Sequence, residues 1–324
     1  MTIAVITPIY ATAENKRLGF LGSTIKSVIK QDYGSVVHLV VDDGSTADVG
    51  LFLKDYPHVR YARREKKTNE LNTASNPLNL GIELCTKGSP DVFAQKEAET
   101  LDAVTYLHSD DILTPSSISA RMASFKDSFV YSDSAIFDEQ RKVTEIKSHR
   151  RMSREQLPCL TELMEMSHHT FLWNITFLRK LQEYISRTYQ RDTIFNGDLY
   201  FGEDADATMC SFEAALPAHE PSYVDRVTAL NRFHRNSITG EALSNGGSPR
   251  EQLDLFLGVH FGITYAQFLD MKYGYPSLTR KFLRMFPEPV KKLLRPIQER
   301  IILEQFRRNN AETISQLENI IAQT

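Results

Sequence analysis

The sequence predicts an α/β fold built on a mostly parallel sheet flanked by helices, and three observations predict it. Ile3 to Ile6 is a continuous apolar run, the pattern of a strand buried on both faces. Residues 18–30 then place Leu21, Ile25, Val28 and Ile29 at helical spacing, and Val36 to Val41 is a second apolar run. Strand, helix and strand with a crossover of this length make a βαβ unit and therefore parallel neighbours. Finally, each apolar run stops at polar or acidic residues. These are Thr7-Pro8-Ile9-Tyr10, Asp42-Asp43-Gly44-Ser45 and, after Val104 to Leu107, His108-Ser109-Asp110-Asp111. Ligands of open parallel sheets bind beyond the carboxyl ends of the strands, so these three stretches mark the predicted site.

The other elements follow in order. Val59-Arg60-Tyr61 reads as a weaker third strand, and residues 62–70 form a charged loop with Arg63, Arg64, Lys66 and Lys67. A solvated loop and an anion-facing loop both fit that pattern. Asn72 to Cys85 carries Leu78, Leu80, Ile82 and Leu84 and predicts a helix, while the polar stretch 86–102 predicts an extended loop or an inserted helix. Pro115 opens a helix to Phe125, Phe129 to Asp133 is another strand ending in an acid, and 138–156 predicts a hairpin or an excursion. Leu160 to Met166 reads as helical. His168 and His169 are adjacent and cannot share a helix face, so turn or pocket-lining roles are expected rather than a two-histidine metal pair. Gly202 to Cys210 looks like a helix start, with acids in the first turn complementing the helix dipole. Thr228-Ala229-Leu230 leads into the cation-rich stretch Asn231 to Ser237.

Composition bounds the function. The 324 residues carry 38 basic and 41 acidic side chains, a net charge of −3, which is no polyelectrolyte signature and predicts no nucleic-acid partner. Cys85, Cys159 and Cys210 are far apart, without metal-ligand spacing, and predict reduced, partly buried thiols. The first residues enter a strand without a charged leader, and no apolar run approaches the roughly 18 residues of a membrane span. A cytoplasmic protein is expected. Gly240 to Arg250 reads as a linker, and 251–270, 277–286 and the stretch from Val290 to Ile301 as helical. From Arg280 to Arg308 nine basic residues outnumber three acidic ones beside Phe282, Leu283 and Phe286. Such a segment fits peripheral contact with an anionic inner-membrane face, or an appendage packed on the catalytic region or on a second copy in a homo-oligomer.

Two carboxylates at a strand end make a hard, oxygen-rich point suited to Mg²⁺ or Mn²⁺ with substrate phosphates; alternatively they sit in a solvated turn and cap the next helix. Six motifs in one order decide between these: Thr7-Pro8-Ile9-Tyr10, Val41 to Ser45, Asn76 to Ile82, Leu107 to Asp111, Glu203-Asp204, and Arg232 to Ser237. Together they resemble the family 2 glycosyltransferases, which have the GT-A fold. The resemblance covers residues 1–240, the catalytic domain, and leaves 241–324 as a helical C-terminal extension.

The resemblance implies a nucleotide-sugar donor, usually a UDP-sugar, and a glycan, lipid-linked or protein acceptor. By motif match Thr7, Pro8 and Tyr10 line the base and ribose pocket. Asp43, with Asp42, accepts from the uracil ring, as an ionised carboxylate can. Asn79, Gly81, Ser109, Asp110, Arg232 and Arg235 fall on the donor. Asp110, Asp111 and His234 match the metal shell, Asp204 the general base, and Glu203 the group that orients acceptor or base. One base and one metal suffice for a single in-line displacement, which inverts the anomeric carbon; glycosidases instead flank the bond with two carboxyl groups. The family usually has an acid where this chain has His108, and an imidazole favours Mn²⁺ over Mg²⁺. A sugar-1-phosphate nucleotidyltransferase would need a glycine-rich, arginine-containing loop that Thr7 to Gly19 does not supply. A non-catalytic nucleotide-sugar-binding module would have no use for both Asp110-Asp111 and Glu203-Asp204.

Overall fold

The computed structural model describes residues 1–15, 17–65, 74–149, 151–152, 166, 168–197, 203–215, 220–234 and 307–324. Its centre is a nine-stranded sheet in the order β3-β2-β1-β4-β8-β6-β9-β5, with β7 paired to β6. The strands are β1 (Thr2–Ile9), β2 (Val36–Asp42), β3 (Val59–Arg63), β4 (Leu101–Tyr106), β5 (Ile112–Leu113), β6 (Phe129–Phe137), β7 (Val143–Lys147), β8 (Leu172–Asn174) and β9 (Ser222–Arg232). The helices are α1 (Arg17–Ile29), α2 (Val49–Phe52), α3 (Ser75–Lys87), α4 (Gln95–Ala98), α5 (Ser117–Met122), α6 (Ile175–Tyr189), α7 (Glu203–Ala215) and α8 (Ala311–Gln323).

The N-terminal half of the sheet is parallel, as the apolar runs predict: β1 pairs in parallel with β2 and β4, and β2 with β3. Alternate residues of β1 go to opposite faces. Ile3 and Val5 pack with Val28 of α1 and Ile118 of α5. Ala4 and Ile6 pack with Leu78 and Ile82 of α3 and with Trp173. Both faces are therefore covered by helices, which is why the run shows no polar alternation. The other half is mixed. β8 runs antiparallel to β4 and β6, whereas β6 and β9 are parallel.

Several elements differ from their sequence-based bounds: β1 runs on through Thr7 and Pro8 to Ile9, β3 reaches Arg63, and α5 spans only Ser117–Met122. β4 begins at Leu101, before the apolar run, and β6 continues to Phe137. β9 is eleven residues long where only Thr228 to Leu230 reads as apolar, because its first half is polar and partly exposed, with Tyr223, Asp225 and Arg226. Backbone pairing to β6 extends it, and a pattern of side chains does not report that pairing. The segment 138–156 does form a hairpin in its described part, β6 to β7. The predicted helix at Leu160 to Met166, the linker at 240–250 and the helices over 251–301 fall on residues outside the description, apart from Met166. Near the C-terminus, α8 places Ile314, Leu317 and Ile321 against Ile112, Phe137, Val143 and Leu230. Its Glu318 accepts from Lys142 Nζ at 3.0 Å and from the Val143 amide at 3.2 Å. No helix among the described residues is long and apolar enough to cross a membrane.

Candidate functional site

The site is set by where three parallel strands end. In the β1–β2 register Ile9 faces Asp42, and in the β1–β4 register Ile6 faces Tyr106. The Asp43 amide donates to Ile9 O at 2.8 Å and the Leu107 amide to Ile6 O at 2.9 Å, so both exits stay tied to β1. The acidic pairs Asp42-Asp43 and Asp110-Asp111 thus leave the same edge of the sheet, on either side of β1.

At the β4 end a tight turn closes through the Asp111 amide and His108 O at 3.1 Å. It sends the two carboxylates to different partners. Asp110 Oδ2 lies 2.9 Å from His234 Nε2 and accepts from Arg17 Nη1 at 3.2 Å. Asp111 Oδ1 accepts from the Arg232 amide at 2.7 Å, while its Oδ2 lies 3.1 Å from His169 Nδ1. Arg232 completes the turn, donating from Nε to Asp110 O at 2.9 Å. Its guanidinium sits between Phe20 and Phe137, 4.7 and 4.6 Å from the ring centroids. Both carboxylates are buried, as are His169 and His234.

Burial disfavours the ionised form of both carboxylates, yet their pKa values move in opposite directions. It acts to raise the pKa of Asp110, but the Arg17 charge and the hydrogen bond from His234 outweigh it and hold this carboxyl below the usual range. Asp111 is pushed well up, by burial first and then by the negative charge of Asp110. Arg232 is lowered by burial, opposed by the charges of Asp111 and Asp110. Ser109, between His108 and Asp110, is buried and its hydroxyl has no hydrogen-bond partner among the described residues. The end of β4 thus gathers carboxylate, imidazole and guanidinium groups with an orphaned hydroxyl, a setting for an anionic ligand and a divalent cation.

The β2 end is differently arranged. Asp42 is wholly buried; its Oδ1 accepts from the Ser45 amide at 2.8 Å, and its Oδ2 from Tyr61 Oη at 2.8 Å and Arg63 Nη1 at 3.1 Å. Asp43 pairs with Arg64. Thr7 Oγ1 meets His38 Nε2 at 2.8 Å inside the sheet. Burial, with some repulsion from His58, lowers the His38 pKa to about 3, so this imidazole is neutral. Pro8 follows in β1, and Tyr10 stands just past its end, its carbonyl accepting from Asn15 Nδ2 at 2.8 Å.

Other predicted site residues are spread around this edge. Asn79 donates to Phe195 O at 2.8 Å and accepts from the Phe195 amide at 3.0 Å, fixing the 191–197 loop to α3. A Cβ at Gly81 would stand 2.4 Å from Ile6 Cγ2, so this glycine lets α3 press on β1. Glu203 and Asp204 open α7; the description of their side chains stops there, and Arg235 lies outside the described residues. One turn on, buried Asp206 pairs with Arg191. Sequence reasoning missed Arg17; for His169 it expected a turn or pocket-lining place but not the contact with Asp111. Arg17 carries no motif. His169 lies 58 residues from Asp111, and no spacing rule joins them. Cys85 and Cys210 are buried free thiols, as expected.

Known proteins share the family and the fold. The sequence model described as Glycosyl transferase family 2 matches residues 4–185, from β1 through most of α6, including both acidic pairs. No curated protein matched. Among solved structures, that of S. aureus TarS is similar with a TM-score of 0.52 at 16% identity, covering 98% of this chain and 55% of TarS. The chain thus spans about half the length of that protein. S. aureus TarS 1–349 in complex with UDP-GlcNAc gives 0.52 at 16%, covering 100% of this chain and 92% of that one. The complex of the same fragment with UDP gives 0.51 at 15%, with the same coverage. At these identities the likeness is one of fold: a curled, mixed sheet flanked by helices, as the GT-A expectation requires.

Proposed function

Because this chain belongs to glycosyl transferase family 2, we propose that it moves a sugar from a nucleotide-sugar donor to an acceptor hydroxyl. The observation that carries the reading is the pair of acidic strand ends flanking β1 on one edge, one of them surrounded by Arg17, Arg232 and His234. A nucleoside diphosphate needs both: an acceptor for the base at one end, and cationic partners for the phosphates at the other.

The donor is a UDP-sugar, a choice supported by the UDP and UDP-GlcNAc held in the TarS structures. Asp43 reads the imide N–H of the base, with Asp42 fixed behind it, and Thr7, Pro8 and Tyr10 border the ribose. Asn79 acts through the Phe195 loop and Gly81 through the approach of α3 to β1. Ser109, Asp110, Arg232 and Arg235 face the diphosphate. A fit for a divalent ion exists in the buried Asp110–His234 contact and the orphaned Ser109 hydroxyl beside it. Asp110 and His234, with Asp111 next in the chain, would hold Mn²⁺ in preference to Mg²⁺, since an imidazole joins the oxygens. When bound, that ion supplies positive charge against the departing nucleoside diphosphate.

The reaction is a single displacement with inversion. The acceptor oxygen forms a bond to the anomeric carbon as its proton passes to the Asp204 carboxylate, and Glu203 orients that exchange. The anomeric C–O bond breaks and its electron pair leaves with UDP. Arg232 is held rigidly between two rings, and so meets the growing phosphate charge without reorganising. The acceptor is a glycan, lipid-linked or protein hydroxyl. The basic segment Arg280 to Arg308 suits peripheral contact with an anionic membrane face, where a lipid-linked acceptor would be presented.

Calorimetric titration with UDP and a panel of UDP-sugars, with and without Mn²⁺, tests the reading. Manganese-dependent UDP binding that weakens in Asp110→Ala supports it. Failure of every uridine nucleotide to bind would refute the UDP assignment.

A further inference from the structure

The helix α8 carries one apolar face. Ile314, Leu317 and Ile321 recur at helical spacing and are buried, while Glu312, Ser315, Gln316 and Asn319 are exposed. That face meets Ile112, Phe137, Val143 and Leu230. Three of these four residues stand directly behind the donor edge. Ile112 follows Asp111 and pairs with Leu230, which lies two residues before Arg232. Phe137 pairs in register with Arg232, and its ring carries the Arg232 guanidinium at 4.6 Å from the centroid. We propose that α8 is the back wall of the donor-phosphate centre, with Leu317 and Ile321 acting through Phe137 as positioning residues for Arg232.

Arg232 needs such support because few bonds fix its far end. Its amide donates to Asp111 Oδ1 and its Nε to Asp110 O. Its two terminal Nη groups have no hydrogen-bond partner among the described residues, and they are the donors left for a phosphate. The plane of the guanidinium is therefore set by the two rings that sandwich it, Phe20 of α1 and Phe137 of β6. Interiors are close-packed, so a ring whose backing is removed shifts and takes the stacked cation with it.

The same helix is fastened to both elements that supply those rings. On the β6–β7 hairpin, Glu318 accepts from Lys142 Nζ at 3.0 Å and from the Val143 amide at 3.2 Å, and Arg141 donates to Ile321 O at 3.4 Å. On the other side Lys30, the residue after α1, donates to Gln323 O at 2.6 Å. Arg141 and Lys30 are cations at the last turn of α8, where a helix presents its negative end. The helix thus ties α1 to the hairpin while its apolar face backs Phe137. The unit that holds the donor therefore extends past residue 240, the boundary that the motifs suggest.

The proposal rests on the reading of this edge as a nucleotide-sugar site, and its test separates the two. UDP affinity is measured by calorimetry with Mn²⁺ on the full chain and on Leu317→Ala, Leu317→Met, Glu318→Ala and Leu181→Ala. The last makes the same deletion in the core around α6, a different cluster from that of α8. Leu317→Ala should weaken UDP about fivefold and Glu318→Ala about twofold, with Leu317→Met close to the parent. Leu181→Ala should lower the urea midpoint and leave UDP affinity unchanged, as a purely structural loss does. Hydrogen exchange read by mass spectrometry is the second arm. The Arg232 and Phe233 amides should exchange faster in both α8 variants, and UDP should slow exchange in α8 of the parent, as reciprocal coupling requires. Unchanged UDP affinity in the α8 variants of a parent that binds UDP, or unchanged exchange at the end of β9, would overturn the proposal. Glu318→Ala decides alone if Leu317→Ala does not fold. If the parent binds no UDP while exchange at the end of β9 still follows α8, the back wall stands and the donor reading falls.

Discussion

The ends of β2 and β4 share one sequence pattern, an apolar strand stopped by two aspartates, yet they fold into opposite environments. At β2, Asp42 is saturated: a backbone amide, a phenol and a guanidinium take both its oxygens. The neighbouring imidazole, His38, is buried and neutral beside Thr7. At β4, two buried carboxylates face histidines and arginines from α1, the His169 turn and β9. One end is a settled network that holds the sheet edge together; the other concentrates groups whose charges depend on one another. What separates them is not the pair itself but its partners: an amide, a phenol and two arginines at β2, histidines beside arginines at β4.

Four experiments break or sharpen this contrast. The largest effect is expected at β4: Asp110→Asn should lower Mn²⁺-dependent UDP affinity on the order of 100-fold with little change in the urea midpoint. Asp42→Ala at β2 should do the reverse. It strands the Ser45 amide and the Tyr61 hydroxyl and should cost about 2–3 kcal/mol in urea unfolding. Acid is the third probe. His38 titrates near 6.5 when unfolded and near 3 when folded, so the unfolded chain takes the proton first. Its contribution is complete above pH 6.5 and is lost as pH falls toward 3, by about 3 kcal/mol at pH 4.5. Thermal melts across pH 7 to 4.5 should therefore show a smaller acid loss in His38→Asn than in the parent chain. Smallest is Arg17→Ala. Removing a partly shielded partner of Asp110 should tighten Mn²⁺ a few-fold, about 1 kcal/mol, and weaken UDP by a similar factor, both read by calorimetry.

Much of the fold was legible because burial on both faces writes itself directly into composition. β1 is apolar from Ile3 to Ile6 and β2 from Val36 to Val41 but for His38, and α1 and α3 carry the periodicity that seats them on the sheet. β9 was only partly legible: half of it is held by main-chain pairing to β6, which selects no particular side chains. Gly81 was visible as part of a motif, but its reason, the 2.4 Å approach a Cβ would make to Ile6, belongs to packing.

The sequence by itself determined the α/β class, the acidic ends of β2 and β4 at one edge of the sheet, and the family. Each of these is local, fixed by residues within a strand or the turn that follows it. Only the tertiary structure decided which aspartate answers to which partner. Arg17, His169 and His234 are 93, 58 and 124 residues from the carboxylates they meet. Side-chain direction at a strand exit follows the turn closed by His108 O and the amide of Asp111, and the partners follow the order in which strands enter the sheet. Long-range convergence leaves no periodic trace along a chain, so it is read from coordinates alone.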